Sequence, residues 1–322
     1  MKRLNRMKIT KSALIAALLL PAFVWTGCHQ SNSGSTSMLT GDAVIAADES
    51  LKPLINAQLD IFHSIYQFSN IHCRYITEDS AVNLLQKEEI RLAIIGRPLN
   101  EKEVEFFKSR ELIPESIPMA TDAIALIVQT ANNTEAFSIE QIKNILSGKI
   151  TDWSQIEDSG KSGSIQLIFD TESSGIIRYL NEKLELKNQI SGNVIFAGSN
   201  EQVIDSIAGN ANGIGFVGYN WLSETESIKV QEKLKEVHFI GVSATSNAMT
   251  GDSAFMPSVS SLYNGKYPLS RKVYAIYTDP SASLARGFLA LLTSERGQRI
   301  VYRNGLKSEH DFQRLIKIKE DY

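Results

Sequence analysis

The sequence predicts an α/β fold arranged in two domains or two lobes, and three observations predict it. Short apolar strands alternate with amphipathic helices along nearly the whole chain. Its 322 residues exceed the common domain length of about 100–200. At 43% hydrophobic and 21% charged, it has the apolar residues to bury a core, which disordered chains lack.

The N-terminus comes first and is read as a targeting segment. Lys2, Arg3, Arg6, Lys8 and Lys11 precede an uncharged apolar run, Ala13 to Trp25, broken only by Pro21. That run is too short to span about 30 Å of hydrocarbon but suits a signal-peptide core. Residues 1–27 are therefore expected to be removed and residues 28–40 to form a flexible tether. Loss of the five basic residues takes the formal charge from −3 to −8.

Ala43–Ala46 reads as a strand, followed by a helix from Leu51 to Phe68. Its apolar positions Leu51, Leu54, Ile55, Leu59, Phe62, Ile65 and Tyr66 recur at three and four, with Ser50 placed as N-cap. A strand at Ile71–Thr77, a helix capped by Asp79 or Ser80 and a strand at Arg91–Gly96 follow. Ala123–Gln129 is a continuous apolar run, hence a strand buried on both faces. Ser138-Ile139-Glu140-Gln141 is a capping box opening a helix that Gly148 closes. Strand Ile165–Asp170 leads through Thr171-Glu172-Ser173-Ser174-Gly175 into helix Ile176–Leu186. Strand Val194–Ala197 leads to Asn200, the expected cap of helix Glu201–Ala208. Strands Gly213–Tyr219, Val237–Ser243 and Lys272–Tyr277 come next, then helices Ser281–Leu292 and Ser294–Arg303.

Several function classes are excluded by composition and spacing. Lys+Arg 33 against Asp+Glu 36 leaves no basic surplus, which argues against nucleic acid as a partner. Two cysteines are too few for a disulfide scaffold, and removal of the leader leaves Cys73 as the only thiol besides Cys28. Cys73 lies in an alternating apolar stretch and reads as structural. His29, His63, His72, His238 and His310 show no tight metal-ligand spacing, and Ser174 sits in no Gly-x-Ser-x-Gly elbow. No enzyme and no cofactor are expected. Gly213-Ile214-Gly215-Phe216-Val217-Gly218 fits G-x-G-x-x-G letter for letter. Its intervening residues are strand formers, however, so the glycines do not form the turn that cradles a pyrophosphate.

Two strand-to-helix junctions carry the chemistry. Asp48-Glu49-Ser50 precedes one helix, and Thr171-Glu172-Ser173-Ser174-Gly175 precedes another. Each places hydroxyls beside free backbone N–H groups at a helix N-terminus, where an oxyanion binds; plain capping explains the same serines.

Longer segments in order resemble the phosphate-binding proteins of phosphate-specific ABC transporters. Among them are Asp48–Leu54, Arg91-Leu92-Ala93-Ile94-Ile95-Gly96-Arg97-Pro98-Leu99, Thr121–Val128 and Asn212–Tyr219. Leu146-Ser147-Gly148-Lys149-Ile150-Thr151-Asp152-Trp153 is the most specific, and Tyr267-Pro268-Leu269-Ser270-Arg271 completes the set. Trp25-Thr26-Gly27-Cys28, followed by a Ser-rich stretch, is similar to a bacterial lipoprotein signal, although Trp25 stands where Leu is usual.

The resemblance implies a type 2 periplasmic binding fold, two α/β lobes joined by a two-strand hinge. The first lobe would combine 41–122 with 239–322, and 123–238 would form the second, with crossings near Thr121–Ile124 and Phe239–Ser243. It implies capture of phosphate or a related oxyanion in the cleft by Ser50, Asp122, Ser174 and Gly175. The family motif Arg-x-Asp-x-Ser-Gly-Thr is altered, because Asp170 stands at the Arg position and Ile176 at the Thr position. Arg97 is then expected to balance the anion, with Arg178 as the weaker candidate, while Asp170 either accepts a proton from a monoprotonated ligand or points away or pairs with Arg97 or Arg178. The expected protein is a monomer that delivers its ligand to an ABC transporter permease. It is held at the cell envelope, facing the periplasm or the cell surface, only by acyl chains such as palmitate on Cys28. The alternative is an envelope sensor or interaction partner without transport.

Overall fold

The structure, a computed structural model, describes residues 37–157, 159–186, 190–223, 228–245, 254–279 and 281–310. The expected leader, Cys28 and most of the expected tether lie outside these residues. No described helix is long and apolar enough to cross a membrane.

The chain opens with β1 (Gly41–Asp48), a 3-10 turn (Glu49–Leu51) and α1 (Lys52–Ile65). β2 (Ser69–Ile76), α2 (Glu78–Gln86), β3 (Leu92–Ile95) and α3 (Glu101–Lys108) follow. The long β4 (Glu115–Gln129) leads to β5 (Ala136–Ser138), α4 (Ile139–Leu146), β6 (Gln166–Phe169) and α5 (Gly175–Lys183). Next come β7 (Val194–Phe196), α6 (Asn200–Ala208), β8 (Gly213–Gly218), α7 (Ile228–Lys233) and β9 (Val237–Ser243). β10 (Ala254–Phe255), α8 (Val259–Tyr263), β11 (Ser270–Tyr277), α9 (Leu284–Thr293), α10 (Glu295–Arg303) and β12 (Lys307–Ser308) complete it.

These elements build a mixed α/β fold of two lobes, each a sheet covered on both faces. The first sheet runs β2-β1-β3-β11-β4, and the second continues β4-β8-β6-β7. Leu54, Ile55, Leu59 and Phe62 of α1 pack with Phe288 and Val301 on one face of the first sheet. Val82 and Leu85 of α2 and Phe107 of α3 cover the other. The second sheet lies between a cluster holding Phe137, Trp153, Phe169 and Leu180 and one holding Val203, Ile207 and Trp221. Strands clad on both faces are apolar throughout, which is why β3 and β8 are buried at every position. Gly213–Gly218 is thus a core strand, as its strand-forming residues predict, and not a nucleotide loop.

β4 serves both sheets. Glu115–Ala123 pairs with β11, and from Ile124 the strand pairs with β8 and β9. Only its second half was legible, because Ser116, Pro118, Thr121 and Asp122 break the apolar run of the first. Proline donates no ladder hydrogen bond, and the pairing shifts register beside Pro118, between Val273 and Tyr274. The chain returns to the first sheet later than expected. β9, placed at the second crossing by its sequence, pairs with β4 over Leu126–Gln129 and with β5 and β10. Leu262, Tyr267 and Leu269 still belong to the second core, and β11 re-enters the first sheet at Ser270 opposite Ala123.

Three caps also differ. Thr77 caps α2, accepting from Ser80 N, and Ser199 caps α6, accepting from Gln202 N. Ser50 lies inside the 3-10 turn, which Asp48 caps, and α1 begins after Leu51 with no side-chain cap. The expected Ser138–Gln141 capping box is present on α4. α3, which went unread, carries another in Asn100 and Glu103. Cys73 is a free, half-buried thiol of β2 that burial pushes up to about 12, which favours the protonated thiol at neutral pH.

Candidate functional site

Strand ends and helix starts from both lobes converge where β4 passes from one sheet to the other. β1 delivers Asp48, the turn after it Ser50, and β3 leads to Gly96. From the second lobe, β6 leads to Asp170, α5 begins at Gly175 behind its cap Ser174, and Asn200 opens α6. Ligands in open α/β sheets bind at such switch points, beyond the carboxyl ends of the strands.

Arg271 is the centre of the arrangement. It faces Asp122 across the β11–β4 ladder, and both are buried, at 3% and 0% exposure. Nε and Nη2 donate to Asp122 Oδ2 at 3.3 and 3.2 Å, and Nη2 also donates to Ser50 Oγ at 2.5 Å. Nη1 is buried and has no hydrogen-bond partner among the described residues. Burial works against the charge of Arg271, but Asp122, Asp48 and Glu78 hold it protonated. One guanidinium N–H group thus stays charged and uncommitted beside a serine hydroxyl.

Acids crowd the same space. Asp48 takes the Ser50 N–H at 3.0 Å and the Ser50 hydroxyl. Burial, then the nearby Glu78 carboxylate, push its carboxyl up to about 7. Asp170 is raised by burial and lies 3.5 Å from Asn200 Nδ2. Asp122 is also raised by burial, against the pull of Arg271. Glu78, 2% exposed, takes the Gly96 N–H at 2.8 Å and Arg178 Nε at 2.6 Å.

Two glycines mark how tightly these groups meet. A Cβ on Gly96 would come within 2.8 Å of Glu78 Oε1 and 3.0 Å of Arg271 Nη1. One on Gly175 would lie 2.7 Å from Glu78 Cδ and 2.9 Å from Asp48 Oδ2. Side chains of one lobe therefore press on the N-terminus of α5 from the other. The lobes are further joined by Asn200, whose N–H and Nδ2 donate to Glu49 Oε2 at 3.1 and 2.7 Å. Asn220 Nδ2 donates to Ser50 O at 2.8 Å.

Of the residues singled out from sequence, Ser50, Asp122, Asp170, Ser174 and Gly175 gather here. Ser174 caps α5, accepting from Ile176 N at 3.1 Å. Arg97 is different. Its guanidinium is bidentate to Glu103 at 2.7 and 2.8 Å and reaches Asp79 at 3.0 Å, with Glu78 at 3.8 Å. Three carboxylates share that charge, and the buried guanidinium nitrogen left without a hydrogen-bond partner among the described residues is Nη1 of Arg271. Arg271 and Glu78 were missed as site residues. A signal for Arg271 exists in the parity of its strand, where Leu269, Arg271, Val273 and Ala275 share the buried face.

A profile of the PBP superfamily domain matches residues 31–296. The chain belongs to the PBP superfamily. Phosphate-binding protein PstS of Pseudomonas aeruginosa is 24% identical over 293 residues, which cover 86% of this chain and 84% of that protein. Protein SphX of Synechococcus elongatus is 24% identical over 217 residues, covering 65% of this chain and 60% of SphX. A Clostridium perfringens protein crystallised with bound phosphate superposes with TM-score 0.69 at 20% identity, covering 83% of this chain and 99% of that one. An ABC-type phosphate transport receptor from Vibrio cholerae gives 0.60 at 20% identity, over 83% and 100%. At these identities the structural likenesses establish the fold, a two-lobed PBP-superfamily architecture.

Proposed function

We propose that this PBP-superfamily chain captures inorganic phosphate or a related oxyanion between its lobes and delivers it to an ABC transporter, without chemical conversion. The observation that carries the reading is the buried, unpartnered Nη1 of Arg271, set beside Ser50 and near the N-terminus of α5. The first-turn amides of α5 have no partners inside the helix, and its dipole favours an anion there. The relatives named for phosphate binding support the same ligand class.

The energetics are sufficient but close. Micromolar affinity needs about 8 kcal/mol. Donors from Arg271, Ser50, Ser174 and the α5 amides, at about 1.5–3 kcal/mol for each charge-assisted bond, reach that figure before the anion's desolvation is counted. Asp170 would accept a hydrogen bond from the proton of a monoprotonated anion, which favours phosphate over sulfate. A lipid anchor on Cys28 would hold the protein at the envelope, because several acyl chains bind a bilayer stably where one does not.

Calorimetric titration of the purified protein with phosphate and sulfate tests the ligand. Heat of binding with phosphate alone supports both the oxyanion site and the role of Asp170. Equal binding of sulfate ends that role, and no heat with either anion ends the reading. Transport is tested separately, since a strain lacking the chain should take up labelled phosphate more slowly when phosphate is scarce. Unchanged uptake would assign the protein to sensing.

A further inference from the structure

The contacts of Glu78 are those expected of a ligand. Its carboxylate is buried, although Glu78 is the first residue of an α-helix, where an acid usually faces water. It bridges the lobes. Oε1 takes the Gly96 N–H of the first lobe at 2.8 Å, and Oε2 takes Arg178 Nε of the second at 2.6 Å. Arg178 Nη2 adds a longer contact to Oε1 at 3.3 Å. Cδ lies 2.7 Å from the point where a Cβ of Gly175 would stand, at the mouth of α5, and Oε1 lies next to the same Gly96 that Arg271 Nη1 overlooks. A planar oxyanion with a backbone N–H, a guanidinium and a helix N-terminus around it occupies an oxyanion site.

We propose that Glu78 is an intramolecular competitor for the anion, a built-in carboxylate that must leave the crevice before phosphate takes its contacts. This rests on the oxyanion reading above and adds what sets its affinity. A phosphate entering beside the seated carboxylate would meet the charges of Glu78 and Asp48 and find Gly96 N–H and Arg178 already taken. Entering after Glu78 has swung toward solvent, it gains Gly96 N–H and Arg178, and the approach to the α5 N-terminus at Gly175 is no longer crowded. The observed affinity is then the intrinsic one reduced by the fraction of molecules with Glu78 out. Arg178 does not lose all support when Glu78 leaves, because Nη1 also donates to Glu182 at 2.7 Å.

The test is calorimetric titration of the full chain with phosphate in wild type, Glu78→Ala and Glu78→Gln, each checked for a cooperative melt. Glu78→Ala is expected to bind phosphate at least tenfold more tightly, about 1.4 kcal/mol. Glu78→Gln should fall between, because it keeps an acceptor for Gly96 but loses the charge. Acetate in excess should compete with phosphate in Glu78→Ala and have little effect on wild type, because the small carboxylate refills the vacated position. Equal or weaker phosphate binding by Glu78→Ala, with wild type binding normally, overturns the inference and leaves the oxyanion reading standing. Folded protein that binds phosphate in none of the three forms overturns both.

Discussion

Arg271 and Asp122 form a buried ion pair in which Nη1 of the guanidinium has no hydrogen-bond partner among the described residues. Removing one member of such a pair leaves an uncompensated buried charge and costs about 3–5 kcal/mol. Arg271→Met should therefore lower the melting temperature markedly. Arg271→Lys keeps the charge but loses the planar fork, so it should stay folded and bind phosphate at least tenfold more weakly, about 1.4 kcal/mol by calorimetry. Asp48 gives a pH signature. Its carboxyl, ordinarily at 3.8, is held at about 7 in the fold by burial and by Glu78, with Arg271 opposing and Asp170 adding to the rise. Folding thus favours its protonated form. That contribution to stability is full below the unfolded value and is lost as pH rises through about 7. Asp48→Asn should melt higher than wild type at pH 8, and the advantage should shrink toward pH 5. A difference that does not change with pH would contradict the assignment. Arg271 and Glu78 were hard to find from sequence because their meaning is relational. Arg271 meets Asp122, 149 positions away, through strand register, and Glu78 meets Arg178, 100 positions away, through lobe contact.

At the scale of elements, α5 contributes both a cap and an anion-facing end. Ser174→Ala removes the acceptor for Ile176 N and should cost about 0.5–2 kcal/mol of stability in thermal or denaturant unfolding. It should also weaken phosphate binding, whereas loss of an ordinary cap far from the crevice, such as Ser294→Ala on α10, should cost stability alone. Elements with one continuous periodicity were legible in the sequence: α1, the buried half of β4, β8 and α10. Those with mixed character were not. The first half of β4 is half-exposed and carries Pro118, and α3 announces itself only by its Asn100–Glu103 box. Ser50 was placed as a cap because a serine before a helical stretch normally is one. The chain uses it instead inside a 3-10 turn, which brings its hydroxyl to Arg271.

Across the whole molecule, the two lobes meet through polar groups, Glu49 with Asn200, Ser50 with Asn220 and Glu78 with Arg178. Hydrogen-bonded contacts of this kind can be exchanged for ligand contacts, as a hinged capture protein requires. Attachment belongs to this scale too. Cys28→Ala should move the protein from the membrane to the soluble fraction, and continued firm membrane association would place the anchor elsewhere. The two-lobed plan followed from the βα alternation and the ordered family segments. The return crossing at Ser270 did not, because β9 looks like any other buried strand until its partners are known. Arsenate, a heavier stand-in for phosphate, tests the central claim most directly through anomalous diffraction from crystals of the protein grown with it. The account predicts an arsenic peak between the lobes, within hydrogen-bond distance of Arg271 Nη1 and the first-turn amides of α5, with Glu78 turned away. Crystals that hold arsenate elsewhere, or show Glu78 seated and no arsenic beside Arg271, would contradict it.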